Sequence, residues 1–564
     1  MSKDLVKQII ASDPKEAVKI IAGQDPKTAY ELVFEHNDPP AVVEAMPFQD
    51  AYLLVKQIGE TDALDLLEMM DSRKIQGFFD LDCWEKDRLS LERLLEWLTI
   101  LMEFEDDRFL HQLKGMDKFL QLFLLKRFIN VIKIEEPSEN PYLGVENVFV
   151  TPDQKYAVEV FGEEHQAQFL FVVMQRLYRI DMHFFYWLLE GIYWEDPNDL
   201  EEEAYQQKVN RLESNGFPEY YIALEVFSTI DPNQFKPSEK IAPFDRDEED
   251  EDEPEVSTAF LQRVEIADSL FRRALLQVTA GLPDVHLELI SLTNMVCMAS
   301  QLSFADFEAV SEVVKLVDGY LSLGLEHLVG DVPEAAAGLL TRHKLLDIYK
   351  IGRSLVVIQG RRLRSIIPKT ASDRKTIRKV MFDPPHSEFI EKMLMRDPRM
   401  VFADGKPVYI SDMKQLAQAK TMIDMIRQVT SLMHDRFGFD PDTVSNLRLL
   451  GANIRGADLS YQSLFCTSFA NDMLGRKFAP TPLSYEEAGK LREMTMKKEG
   501  NWTLDEVHLA GFRQWLDQQG ELFVATREYF EALLDRMARQ LNTYTKADSE
   551  ELRFITTLIV EMPY

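Results

Sequence analysis

Cysteine is scarce. Only Cys83, Cys297 and Cys466 occur in 564 residues, widely separated and without a CxxC pair. A disulfide framework and a structural zinc site both lack their residues, and a reducing cytoplasm fits best. Long hydrophobic runs are missing too. The most hydrophobic windows are broken by charge, as Phe119 to Ile134 is by Lys126 and Arg127, and the start Met1-Ser2-Lys3-Asp4 is charged, so neither a membrane span nor a signal peptide is expected. Positive charge is in deficit. With 63 Lys and Arg against 95 Asp and Glu the net charge is -32, which disfavours general affinity for nucleic acid or anionic membranes. Finally, there is no GxxxxGK[ST] loop, no GxGxxG after a strand, no HExxH and no GxSxG, so the nucleotide, dinucleotide, zincin and serine-hydrolase readings fail on residues. No catalytic residue, metal site or cofactor is expected.

What is present is ample apolar material, 46% hydrophobic and 10% aromatic, in a chain too long for one core. The first seventy residues repeat one short pattern: Asp13-Pro14 then Ala17, Asp25-Pro26 then Ala29, Asp38-Pro39 then Ala41, Pro47 then Ala51, and Thr61-Asp62-Ala63. Aspartate suits the N-cap and proline the first helical position, where the missing amide hydrogen costs nothing. The alanines are spaced 12, 12, 10 and 12. Each unit is therefore about two helical turns and a corner, and such helices must stack to bury Val18, Ile20, Ile21, Leu32, Val33, Val42, Val43, Leu53, Leu54, Val55, Leu64, Leu66 and Leu67. This pattern resembles the N-terminal superhelical domain of MgtE-type magnesium transporters, and the resemblance, over about residues 10 to 80, implies a fold only.

Further along, Ser90 should cap an amphipathic helix carrying Leu91, Leu94, Leu95, Leu98, Leu101 and Met102 on one stripe. Asp80-x-Asp82 has the form of a metal–nucleotide motif but lies between helical segments, and two helix caps are the simpler reading. Val148 to Val150 and Tyr156 to Val160 alternate around Pro152-Asp153, which predicts one small hairpin within 147–161. The aromatics between Gln166 and Trp194 read as core. Glu201 to Glu203 with Arg211 read as a solvated or salt-bridged helix face, and Gly216-Phe217-Pro218 as a helix stop followed by a new start.

Glu201-Glu202-Glu203-Ala204-Tyr205, Arg211-Leu212, Gly216-Phe217-Pro218-Glu219-Tyr220 and Ala223, together with Asp80-x-Asp82-x-Trp84, resemble an uncharacterised family of long, acidic, bacterial proteins, a domain of unknown function. The likeness continues through Leu339-Leu340, Leu345 and Gly352 to Phe465, Ala470, Leu474-Gly475 and Phe478. It implies architecture and transfers no catalytic residue.

Seven successive acids, Asp247 to Glu253, cannot be packed together and mark a boundary. The expected organisation is a short-helix repeat domain over 1–85, a helical middle module with the hairpin over 86–231, an acidic linker over 232–257 and a helical C-terminal domain over 258–564. The fold class is thus mainly α. Between Arg342 and Lys379 the charge reverses, with twelve Lys or Arg against Asp347 and Asp373. Arg353, Arg361, Arg362, Arg364, Lys369, Arg374 and Lys375 are the candidate binding residues, for the protein's own acidic surface or a partner, for a phosphate-bearing ligand, or for nucleic acid. Three functional readings stand: a cytoplasmic interaction or scaffold protein without catalysis, with another protein as partner; a phosphate-binding protein or enzyme using residues 342–379; and a helical module that senses a divalent cation.

Overall fold

In the computed structural model, the residues described are 3–135, 141–142, 144–145, 148–240, 268–279, 281–367, 381–401, 405–439, 451–454, 458–498, 500–544 and 549–562. The acidic run Asp247 to Glu253 lies outside them.

The Asp-Pro pairs start helices as their chemistry requires. Helices α1 (Lys3–Ile9), α2 (Pro14–Ala22), α3 (Pro26–Glu35), α4 (Pro39–Ala45), α5 (Phe48–Ile58), α6 (Leu64–Met69) and α7 (Ser72–Asp82) follow one another through short corners. The carboxylates of Asp13, Asp25 and Asp38 accept from the amides of Lys15, Thr28 and Ala41 at 3.0, 3.1 and 3.2 Å. Ala17, Ala29, Ala51 and Ala63 are fully buried, whereas Ala41 is half-buried. Small residues at these positions let each helix touch the helix after next: α1 meets α3, α2 meets α4, α3 meets α5, α4 meets α6 and α5 meets α7. Gly77 serves the same end, since a Cβ there would lie 2.4 Å from the Phe48 ring.

A two-residue turn then joins β1 (Trp84–Glu85) to β2 (Arg88–Leu89), and Ser90 caps α8 (Leu91–Met102) as expected. Helices α9 (Asp106–Gly115) and α10 (Lys118–Phe128) lead into β3 (Ile129–Lys133). The hairpin predicted within 147–161 is present as β4 (Val148–Val150) and β5 (Tyr156–Val160), but it is not alone. β3, rich in β-branched residues, pairs antiparallel with β5 and completes the sheet order β3-β5-β4. Helices α11 (Glu164–Ile180), α12 (Met182–Trp194), α13 (Pro197–Ser214) and α14 (Tyr220–Ala223) follow. The aromatic stretch on α12 is only partly core. Phe185 is fully buried, but Trp187 is 46% and Trp194 72% exposed, because α12 packs one face on α10 and β3 and leaves the other outside.

The remaining helices are α15 (Leu270–Leu275), α16 (Leu282–Ser300), α17 (Phe307–Val329), α18 (Pro333–Arg342), α19 (Leu345–Ile366), α20 (His386–Met393), α21 (Met413–Ser431), α22 (Tyr461–Met473), α23 (Tyr485–Glu493), α24 (Glu506–Asp517) and α25 (Val524–Tyr544). Two further ribbons accompany them, β6 (Arg399–Val401) with β7 (Pro407–Tyr409) and β8 (Thr495–Lys498) with β9 (Asn501–Leu504). The chain is mainly α, with small antiparallel sheets of two or three strands.

Two compact units result. The first comprises Met1–Ser228, Lys236–Asp318 and Pro333–Tyr349, the second Thr229–Phe235, Gly319–Val332 and Lys350–Tyr564. In the second unit α22 is the innermost element: every residue from Tyr461 to Asn471 is buried, and its Phe465 and Phe469 pack against Phe512, Trp515 and Phe530. Its buried polar groups hold the segments that lie beside it. Thr467 accepts from the Ile559 amide at 2.8 Å, and Asn471 donates to the Ala479 and Thr481 carbonyls at 2.9 Å. The three cysteines are free and buried.

Candidate functional site

The C-terminal turn of α7 carries Asp80 and Asp82, and neither caps a helix. Two residues apart on a helix, they face opposite ways, and each enters a different buried network. Asp80 accepts both forks of the Arg211 guanidinium, Nε at 2.7 Å and Nη2 at 2.9 Å, and the Gln76 amide at 2.9 Å. Arg211 also reaches Asp117 at 2.7 Å, the N-cap of α10. Arg211 therefore pairs with two aspartates from distant elements rather than with Glu201 to Glu203 on its own helix, as the sequence suggested; of those, Glu201 meets Arg127 at 3.6 Å. Burial pushes the Asp80 carboxyl up, against the pull of Arg211.

Asp82 is encircled by donors: Tyr52 Oη at 2.5 Å, Trp97 Nε1 at 3.0 Å, Arg93 Nη2 at 3.2 Å and the Lys56 ammonium. Lys56 also binds Glu60 at 2.5 Å and lies 5.2 Å from the Trp97 ring centroid.

Beside these networks opens a cleft of about 950 Å³ within the first unit. Its wall includes Lys56, Asp80, Asp82, Trp84, Arg93 and Lys208, with the β1–β2 turn, Tyr220, Tyr221 and the segment 301–305 at its rim. A second hollow of about 510 Å³ shares Asp87, Arg88 and Tyr221 with it and is lined by Glu201, Glu202 and Tyr205. α13 brings Lys208 to the wall from an inward stripe it shares with Leu200, Ala204, Tyr205 and Leu212. The ammonium donates to the Lys86 carbonyl at 3.1 Å and lies 5.1 and 5.2 Å from the Trp84 and Tyr205 ring centroids. Burial pushes its pKa down to about 8, although Asp80, Asp87 and Glu219 pull the other way.

The backbone at the rim is strained. Three non-glycine residues among those described have left-handed φ, and two of them, Lys86 at 63° and Gln301 at 54°, line this cleft. Lys86 occupies the turn position that two-residue hairpins give to glycine, and Gln301 closes the C-terminus of α16. The Lys208 hydrogen bond fixes the first of these, and a 3.1 Å bond from Gln301 Nε2 to Tyr220 Oη anchors the second.

Arg353, Arg361, Arg362 and Arg364 of the basic segment belong to the second unit and are arranged differently. Arg353 is 3% exposed and donates to Asp397 at 3.3 Å. Arg361 reaches Thr229 Oγ1 at 2.8 Å, Arg362 pairs with Asp424, and Arg364 reaches the Leu394 carbonyl at 2.8 Å. The four engage separate elements of their own unit. Lys369, Arg374 and Lys375 lie outside the described residues. Sequence reasoning passed over Lys208, Lys56 and Arg93 and met Trp84 only in the family likeness; a lysine on the stripe Leu200, Ala204, Lys208, Leu212 was the available signal.

Among the described residues no three His, Cys, Asp or Glu side chains are placed to hold a metal ion, and no helix is long and apolar enough to cross a membrane. No curated protein and no solved structure matches the chain, so the likeness to the magnesium-transporter domain rests on the Asp-Pro pattern alone. A family model described as a family of unknown function, DUF6178, matches residues 7–561, nearly the whole length, and the chain belongs to that family.

Proposed function

We propose that the protein is a ligand-binding regulatory protein whose first unit holds a small polar molecule in the cleft beside Asp80 and Asp82. The observation that carries this reading is the meeting, in one cleft, of a buried lysine, two aspartates with buried side chains and two of the three left-handed non-glycine residues among those described. Buried charge and left-handed backbone each cost stability, so their coincidence marks a wall kept for a ligand rather than for packing.

Binding is favoured over catalysis because both aspartates already accept several hydrogen bonds from the protein's own side chains, which leaves few of their lone pairs open to a substrate. The same saturation gives no support to cation sensing at this pair. A scaffold role without a ligand would rest on the stacked short helices, which present no feature that selects a partner. A reducing cytoplasm belongs to the proposal, supported by three buried free thiols.

The test is a thermal-shift screen of the full chain against sugars, amino acids, nucleosides, organic acids and phosphate esters, repeated on Ser303→Trp, which places a large ring at the exposed rim. A ligand at a hundred times its Kd stabilises by about 2.7 kcal/mol. At least one class should raise the Tm of the wild type and lose that effect in the variant. Silence across the panel, or a shift that survives Ser303→Trp, contradicts the proposal.

A further inference from the structure

The cleft wall holds two buried donor groups without acceptors enough to satisfy them. An ammonium offers three N–H donors. Lys208, only 5% exposed, uses one on the Lys86 carbonyl, and among the described residues no carboxylate lies within 4.0 Å of it. Trp84 is 9% exposed, and its indole N–H is buried with no hydrogen-bond partner among the described residues. Both residues line the same cleft, and the ammonium stands 5.1 Å from the Trp84 ring centroid. The carboxylates that act on Lys208 from other elements, Asp80 on α7, Asp87 in the hairpin turn and Glu219 ahead of α14, do so from beyond ion-pair distance, and Asp80 is held by Arg211.

We propose that the ligand of this cleft carries an oxyanion, a carboxylate or a phosphoryl group, received by the Lys208 ammonium and the Trp84 indole N–H. This rests on the reading of the cleft as a ligand site. The unsatisfied groups are donors only, so the complement is an acceptor. A neutral carbonyl would fill hydrogen bonds and leave the buried charge unpaired, whereas an oxyanion answers both. Attraction must be local, because a chain of net charge -32 repels anions at a distance. Tyr220, Tyr221 and Phe304 along the same wall offer apolar contact to an organic body.

The experiment is titration calorimetry of the full chain at fixed ionic strength with inorganic phosphate and with citrate, using glycerol as the uncharged control. The variants are Lys208→Met, which keeps the stem and removes the charge, and Trp84→Phe, which keeps a ring and removes the N–H. Phosphate or citrate should bind, the two arms separating the sources of the oxyanion, and glycerol should give no heat. Lys208→Met should weaken binding at least tenfold and Trp84→Phe several-fold. For wild type the affinity should fall above about pH 8, by up to tenfold per pH unit, as the free ammonium loses its proton. Equal oxyanion affinity in wild type and both variants overturns the inference. So does a cleft that takes an uncharged ligand, blocked by Ser303→Trp, and neither oxyanion; that result leaves the ligand-site reading standing.

Discussion

At the scale of single residues, the molecule keeps several ionisable groups in surroundings that oppose their charge, and the consequences are measurable. His386, on α20 in the second unit, packs edge-on against Tyr529 at 5.1 Å and near Phe382, and burial together with the Arg536 charge pushes its pKa down to about 4 from an ordinary 6.5. A folded-state pKa below the unfolded value means the unfolded chain binds the extra proton first. The stability that neutral His386 contributes is therefore whole above about pH 6.5 and is lost as the pH falls toward 4. The shift corresponds to roughly 3 kcal/mol. Nearby Asp383, pushed up by burial, acts in the opposite sense, so the readout is a difference. Urea unfolding at pH 7 and pH 4.5 should show His386→Phe losing less stability than wild type over that interval; an equal loss in both contradicts the assignment.

At the scale of elements, what was legible in the sequence was what local chemistry decides. Asp13, Asp25 and Asp38 cap the helices they precede because an N-cap needs only its own next turn, and Ser90 does the same. The hairpin at Val148–Val150 and Tyr156–Val160 was legible from alternation, while β3 was not, since its five residues follow a helix without a turn signal and find their partners across a long stretch of chain, from Lys133 with Tyr156 to Ile129 with Val160. The site was hidden for the same reason. Arg211 meets Asp80 across 131 positions, and Lys208 meets the Lys86 carbonyl across 122. A charge reversal over 342–379 is conspicuous on paper, but the structure engages Arg353, Arg362 and Arg364 with Asp397, Asp424 and Leu394 separately. Gly352 on α19 shows the converse, a residue whose role only packing reveals. A Cβ there would fall 1.9 Å from the Tyr320 carbonyl oxygen of α17. Ala in a helix interior ordinarily gains about 1 kcal/mol over Gly. Gly352→Ala should instead destabilise the second unit by about 3 kcal/mol, checked by chemical denaturation; a neutral or stabilising effect would show that the two backbones do not approach this closely.

At the scale of the whole molecule, a strongly acidic chain has placed an under-used ammonium and a neutral indole N–H together in one cleft of its first unit, and the central claim is that these two donors await an oxyanion. The claim has a thermodynamic signature. Without ligand, the Lys208 charge is a burden of up to about 3 kcal/mol, because its pKa lies near 8 rather than 10.5 and folding below pH 8 keeps an ammonium where burial disfavours it. With an oxyanion bound, the same charge becomes the partner that binding needs. The most direct measurement is the Tm of wild type and Lys208→Met at pH 7, each alone and with saturating inorganic phosphate or citrate at matched ionic strength. The account predicts that the variant melts higher than wild type when both are free, and that the order reverses when at least one of the two anions is present; an order that stays the same under all conditions would contradict it.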